Sequence, residues 1–326
     1  MLKIILYFWK MNFSTKIPIA KSNNPIDYSS KMVSLGSCFA ENMGEKFNYF
    51  MFQNVVNPFG IIFNPVSIEK LVSRSVNQHK FTEADIFFHN DLWYCYDVHS
   101  ELSHPDKAQF LANLNALIDS SHHQIIQSTH IIITYGTSWV YRNKTSSNMV
   151  ANCHKVAQGQ FDKEILSTET IEKSIQNTID LIQKINSDCT FIFTVSPVRH
   201  IKDGFVENQR SKAHLITAIH QILNPESSFL NYFPSYEIMM DELRDYRFYA
   251  ADMLHPSQTA IDYIWARFFE NYVKDDCFSI MEEVCSIQKS MSHRPFNPDS
   301  DSHKKFLENL QDKKVVLQKQ FPHFTF

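Results

Sequence analysis

Short apolar runs alternate along this chain with segments whose apolar residues recur every three or four positions. Residues 31–35 read as a strand ending in Val33-Ser34-Leu35, and after Gly36 the residues Phe39, Met43 and Phe47 fall at helical spacing. The run His130-Ile131-Ile132-Ile133-Thr134-Tyr135 has no polar alternation, as expected of a strand buried on both faces. Ile171, Ile175, Ile179, Ile182 and Ile185 make one stripe of a helix that Ser167 or Thr168 would cap. A second buried strand spans 189–195 and stops at Ser196-Pro197, a helix follows over 207–223, and 229–233 is a weaker strand. The segment 257–273, with Ile261, Ile264, Trp265, Phe268 and Phe269 on one face, closes the series.

This order predicts a three-layer α/β/α sandwich around a mainly parallel sheet. Two regions depart from it. Residues 87–102 read as a hairpin turning at Asn90-Asp91 and running into a polar loop, a rim decoration of any cleft. Beyond Val273 a helical pattern (Phe278, Met281, Val284, Cys285), a break at Arg294-Pro295 and a charged helix from about Ser302 suggest an appendage packed on the core. The division expected is therefore an extension over 1–16, one α/β domain over 17–273 and a helical appendage over 274–326. The apolar stretch Leu2–Trp9 is too short to span a bilayer and lacks a small-residue cleavage site, so it reads as a start-site extension ahead of Met11.

Composition narrows the functions. A charge of −4 over 326 residues gives no electrostatic case for nucleic acid. Six cysteines without framework spacing read as free thiols in a reducing compartment, which points to a cytoplasmic protein. Cys153-His154 and Cys95 with His99 come nearest to metal-ligand spacing, but neither completes a known pattern, and no metal is expected. Nothing resembles a phosphate loop or a dinucleotide fingerprint, so no cofactor is expected either.

The candidate chemistry lies at the two ends of this pattern. Gly36-Ser37-Cys38 joins a strand to a helix, which leaves the residues after the glycine among unpaired N–H groups at the positive end of the helix dipole. Such a position is expected to lower a cysteine's pKa from about 8.5 and to stabilise an oxyanion nearby. Downstream, Asp252-Met253-Leu254-His255 precedes the last helix of the domain, so an Asp could hold one imidazole nitrogen and leave the other free as a base. The bland alternatives are a buried cysteine beside a serine cap, and an Asp–His pair on the surface.

At these residues the chain resembles the GSCFA family, whose motif is written here as Gly36-Ser37-Cys38-Phe39-Ala40. The resemblance extends through Asn57-Pro58-Phe59-Gly60, Gly136-Thr137-Ser138-Trp139, Asn152-Cys153-His154-Lys155, Ser196-Pro197-Val198-Arg199-His200 and Asp203-Gly204-Phe205-Val206-Glu207-Asn208, so it covers nearly all of the chain from Ile17 to Val273. That family is grouped with the SGNH-type hydrolases, which implies an SGNH-like (flavodoxin-like) sandwich and acyl-ester hydrolysis or acyl transfer.

The resemblance assigns Cys38 to the nucleophile position, with Ser37 one place earlier as the alternative. His255 would be the base and Asp252 its orienter. Gly60 would supply an oxyanion N–H and Ser138 would stand where the asparagine of a G-x-N turn belongs, with Asn57 or Asn64 as substitutes. Arg199, His200 and Asn208 crowd a strand's carboxyl end and suit a polyhydroxylated or anionic substrate. The expected substrate is a small-molecule or carbohydrate ester, with no nucleic acid or membrane partner. The altered G-D-S turn and the missing asparagine keep a second expectation open, a non-catalytic glycan- or partner-binding protein on the same fold.

Overall fold

A computed structural model describes residues 15–224 and 227–326. The expected extension over 1–16 lies almost wholly outside the described residues. In chain order the strands are β1 (Lys31–Gly36), β2 (Gln53–Val56), β3 (Ile86–His89), β4 (Leu92–Cys95), β5 (His130–Tyr135), β6 (Trp139–Asn143), β7 (Met149–Val150), β8 (Phe161–Ile165), β9 (Thr190–Val195) and β10 (Leu230–Phe233). The longer helices are α1 (Cys38–Tyr49), α2 (Pro65–Val76), α3 (Lys107–Gln127), α4 (Thr168–Gln183), α5 (Phe205–Ile222), α6 (Gln258–Tyr272), α7 (Cys277–Met291) and α8 (Asp301–Gln320).

The central sheet has the order β10-β9-β5-β1-β2, and each neighbouring pair is parallel. Its middle strands β5 and β9 are buried at all six positions, which explains their unbroken apolar runs. Side-chain alternation divides the interior in two. Val33, Ile131, Ile133, Tyr135, Phe191 and Phe193 face one core with the apolar stripes of α2, α3, α4 and α5. Met32, Ile132, Ile192 and Phe233 face the other with α1 and α6. The three-layer α/β/α reading therefore holds.

The appendage is part of the second core. Met281, Val284 and Ile287 of α7, Leu317 of α8 and Phe324 are buried in the same cluster as Phe47 and Trp265. Tyr28 stacks on Phe52 at 4.4 Å and meets the Phe324 ring at 5.2 Å, so the segment before β1 and the segment after α8 share one patch of aromatics.

The β3–β4 hairpin turns at Asn90 and Asp91, both at positive φ (45° and 62°), as a two-residue hairpin loop requires. A second antiparallel sheet, β7-β6-β8, lies beyond the end of β5 and has no counterpart in the sequence reading. Strand β2 and helices α2 and α3 were likewise not anticipated. The four residues of β2 are all half-buried, so they carry no alternation to read.

The strand order has a direct consequence for a site. From β1 the chain moves outward to β2, then crosses back to place β5 on the other side of β1. The loops leaving β1 and β5 therefore diverge and open a crevice at the carboxyl edge, where doubly wound sheets bind ligands. Gly36-Ser37-Cys38 leaves β1 and Gly136-Thr137-Ser138 follows β5 at this edge.

Candidate active site

The β1 wall of the crevice is built by close backbone approach. Gly36 has φ +134°, and a Cβ there would lie 2.1 Å from the Thr134 carbonyl oxygen, so only glycine passes. The next amide, Ser37 N–H, donates to that same carbonyl at 3.1 Å. Ser37 is 1% exposed and is the N-cap of α1, its hydroxyl accepting from the Phe39 N–H at 3.2 Å. Cys38, the first residue of α1, is only partly buried. Of the two candidate nucleophiles, the serine is spent on the helix and the cysteine is the more exposed.

The electrostatics of Cys38 depart from expectation. The thiol's pKa is raised, because burial and then the nearby Glu41 carboxylate outweigh the N–H groups of Phe39 and Cys38 and the charge of Lys212. A helix N-terminus alone does not make this cysteine a resting thiolate.

The second wall is the loop before α6, linked to the first through His200, which feels both His255 and Lys212, and through Lys212 to Cys38. Asp252 Oδ1 accepts from the Leu254 and His255 amides at 2.9 and 3.0 Å, and Oδ2 takes the His255 Nδ1–H at 2.6 Å. Met253 adopts φ 59° to close this turn. The two amides, followed by the imidazole, lower the Asp252 pKa to about 2. With Nδ1 committed, His255 Nε2 is left as the acceptor. Both side chains are nearly half-exposed (47% and 45%). Arg199 ties this loop to the end of β9: its N–H donates to the Leu254 carbonyl at 3.1 Å, and its guanidinium lies 4.0 Å from the Tyr249 ring centre and 5.0 Å from that of Tyr246.

Between the walls sits a residue the sequence reading missed. Lys212 is 1% exposed on α5, and its Nζ donates to the carbonyls of Gly136 and Ser196 at 2.7 Å each. It thereby clips together the carboxyl ends of β5 and β9. Burial lowers its pKa to about 7, opposed by the charge of Cys38. His200 is held through its own amide by Asn208 Oδ1 at 2.9 Å, and its ring stacks on Phe63 at 5.4 Å. Burial, then the charges of Lys212 and His255, lower its pKa to about 3, so His200 is neutral. These mutual influences link Cys38 to Lys212, Lys212 to His200 and His200 to His255 in one neighbourhood. The only sequence signal for Lys212 was a charged residue on the buried stripe Asn208, Ser211, Leu215 of α5.

The expected oxyanion donors are arranged differently. The Gly60 N–H closes a turn onto the Asn57 carbonyl at 2.7 Å and is not free. Gly60 is needed instead for its positive φ and for the room that His99 and Glu101 occupy against it. Ser138 is fully buried; its hydroxyl donates to the Ser211 carbonyl at 3.2 Å and its amide to Ser211 Oγ at 2.7 Å. Both interactions anchor α5 one residue before Lys212. Asn57 accepts the Gly36 N–H at 2.8 Å and donates to Glu41 at 3.4 Å, so it braces the Gly36-Ser37-Cys38 turn. Asn64 caps α2 through the Ser67 N–H at 2.9 Å. The Cys38 amide, at the first turn of α1, is the donor left beside the thiol.

The pairs nearest to metal spacing are engaged elsewhere: His154 Nε2 donates to the Cys95 carbonyl at 2.7 Å and Nδ1 accepts from the Ser100 hydroxyl at 2.9 Å. Among the described residues no group of three or more His, Cys, Asp or Glu could hold a metal ion. Among them, too, no helix is long and apolar enough to cross a membrane.

Residues 31–268 match the model of the GSCFA family, and residues 284–326 match that of the GSCFA domain protein, C-terminal domain. No curated protein matches the chain. Similar solved structures include a carbohydrate esterase family 3 from Talaromyces cellulolyticus and an acetyl esterase mutant with acetate ion. Each is 9% identical at a TM-score of 0.28 over 51% of this chain, covering 67% of the first and 68% of the second. An overlap of that extent fixes neither topology nor chemistry.

Proposed function

The chain belongs to the GSCFA family, and from that premise we propose that it is an acyl-ester hydrolase or acyltransferase of the SGNH-like kind that works through a thioester on Cys38. The observation that carries this reading is the Asp252–His255 pair, closed at 2.6 Å with one imidazole nitrogen free, on a loop hydrogen-bonded to the β9 end of the crevice that Cys38 opens.

In the proposed reaction Cys38 Sγ attacks the acyl carbon as its proton passes to His255 Nε2. Asp252 holds the imidazolium, and the Cys38 N–H faces the developing oxyanion. Collapse expels the alcohol, which takes the proton from His255 and leaves the acyl group on sulfur. Water, or a second hydroxyl compound, then gives its proton to His255 and attacks the thioester; collapse expels Cys38 Sγ, which takes that proton back from His255, and releases the acid or the new ester. Lys212 supports the step in which sulfur carries negative charge, because its ammonium is the nearby cation that favours thiolate.

The test is acyl trapping with an activated acetyl ester, located by peptide mass spectrometry in wild type, Cys38→Ala, Ser37→Ala and His255→Ala. Label on Cys38, retained in Ser37→Ala and sharply slowed in His255→Ala, is expected. The rival reading, a binding protein on this fold, draws support from the committed Gly60 amide and Ser138 hydroxyl. Absence of label, or label indifferent to all three changes, would put it first.

A further inference from the structure

Beside the crevice lies a cavity of about 490 Å³ that none of the chemistry above uses. It is bounded by β6, β7 and β8, by the turn after β7 and by the loop after β9, and it meets the crevice at Phe63 and His200. This volume is within the range of small-molecule sites.

Two features of its walls are distinctive. One is a fixed aromatic floor. Trp139 and Tyr141 share the β6 wall, and the Trp139 ring is oriented by its Nε1–H donating to the Glu207 carbonyl at 3.2 Å. The other is positive charge in a chain whose net charge is −4. Lys155, Lys163 and Lys202 line the cavity against a single acidic residue, Asp203. Lys163 is paired with Asp203 and lies 5.3 and 5.2 Å from the Trp139 and Tyr141 ring centres. Lys155 and Lys202 form no ion pair among the described residues.

Lys155 is also held at a backbone cost. His154 and Lys155 are consecutive non-glycine residues at positive φ (50° and 59°), a strained conformation for each. The turn persists because His154 is buried and bonded at both ring nitrogens, to Ser100 and to the Cys95 carbonyl.

We propose that this cavity binds an anionic sugar, its ring packed against the β6 wall of Trp139 and Tyr141 beside the Lys163 ammonium that lies over them, and its carboxylate or phosphate held by Lys155 and Lys202. Aromatic faces take the C–H face of a pyranose, and two unpaired ammonium groups suit an anion as point charges. Arg199, the clamp expected from sequence, does not line this cavity and is occupied by Tyr246 and Tyr249. The site requires nothing of Cys38, so it stands under either reading of the crevice.

The test is calorimetric titration of the full chain with glucuronate, glucose 6-phosphate, glucose and inorganic phosphate at low salt. Cys38→Ala and the double variant Lys155→Met/Lys202→Met would be titrated alongside, the latter changing two exposed side chains. Both anionic sugars are expected to bind at least about tenfold more tightly than glucose or inorganic phosphate. The double variant should lose about tenfold for the anionic sugars and keep its weak affinity for glucose, and Cys38→Ala should match wild type. If only one anionic sugar shows this preference, the group it carries is the one recognised and the proposal holds for that class. No binding of either at millimolar concentration overturns it, as does equal affinity for glucose, or an unchanged double variant. Inorganic phosphate binding as tightly as glucose 6-phosphate overturns the ring's part. Acyl trapping on Cys38 is independent of every one of these outcomes.

Discussion

The two walls of the crevice are made of similar polar chemistry in opposite surroundings. On the sheet side Cys38, Lys212 and His200 are shielded, and burial drives each toward its uncharged form: the thiol up, the amine down to about 7, the imidazole down to about 3. On the loop side Asp252 and His255 are nearly half in water, and hydrogen bonds drive the carboxyl the other way, to about 2. A dry wall, whose thiol and imidazole are neutral and whose amine has a pKa of about 7, thus faces a wet wall with a fixed charge. For the proposed reaction, the difference would mean that the attacking group is stored uncharged and that the group collecting its proton sits where an ion is well solvated.

Substitutions on the wet wall should cost rate and little stability. His255→Ala is expected to slow acylation of Cys38 by about 10²–10⁴-fold, and Asp252→Asn to slow it in the same direction, while both variants unfold in urea close to wild type. A loss of stability with no loss of rate would erase the distinction between the walls.

The dry wall should show itself in the pH dependence of stability. The folded pKa of Lys212 is depressed from 10.5 to about 7, so between those values the unfolded chain binds a proton that the folded chain does not. This group's contribution is complete above about 10.5 and is lost as pH falls through about 7. Denaturation from pH 7 to 10 should show a positive slope from this group, and Lys212→Met should remove it.

Smaller effects sharpen the boundary within the nucleophile turn. Gly36→Ala places a methyl against the Thr134 carbonyl at positive φ and should cost at least ~1–3 kcal/mol of stability with loss of labelling. Ser37→Ala removes only the cap, so chemical denaturation should register a loss of ~0.5–2 kcal/mol while Cys38 remains labelled.

Much of this was legible in the chain because burial leaves a period. The unbroken runs of β5 and β9 and the isoleucine stripe of α4 gave those elements nearly to the residue, with Ser167 as the cap. Asn90-Asp91 fixed the hairpin by turn chemistry alone. The antiparallel sheet β7-β6-β8 escaped because most of its residues are half-buried on a rim. Helix α3 escaped because its buried stripe Phe110, Leu114, Ile118, Ile125 is diluted by Asn, Asp and His over 21 residues.

The site divides the same way. Cys38 and the Asp252–His255 turn are encoded by neighbouring residues, and local sequence revealed them. The charge state of Cys38 depends on Glu41 and Lys212 and on what covers it, and Lys212 arrives from α5, 174 positions downstream of the thiol on a helix whose role is set by Ser138 and Ser211. No spacing rule predicts a pKa that depends on such a contact.

The measurement closest to the central claim is the pH profile of Cys38 alkylation by iodoacetamide, followed at the peptide level in wild type and Lys212→Met. A neutral thiol on a dry wall predicts slow alkylation at pH 7 and a midpoint above the free-cysteine value of about 8.5, moving higher still when the Lys212 charge is removed. Rapid alkylation at pH 7 with a midpoint well below that value would contradict it, and would mean that the crevice stores Cys38 as a thiolate.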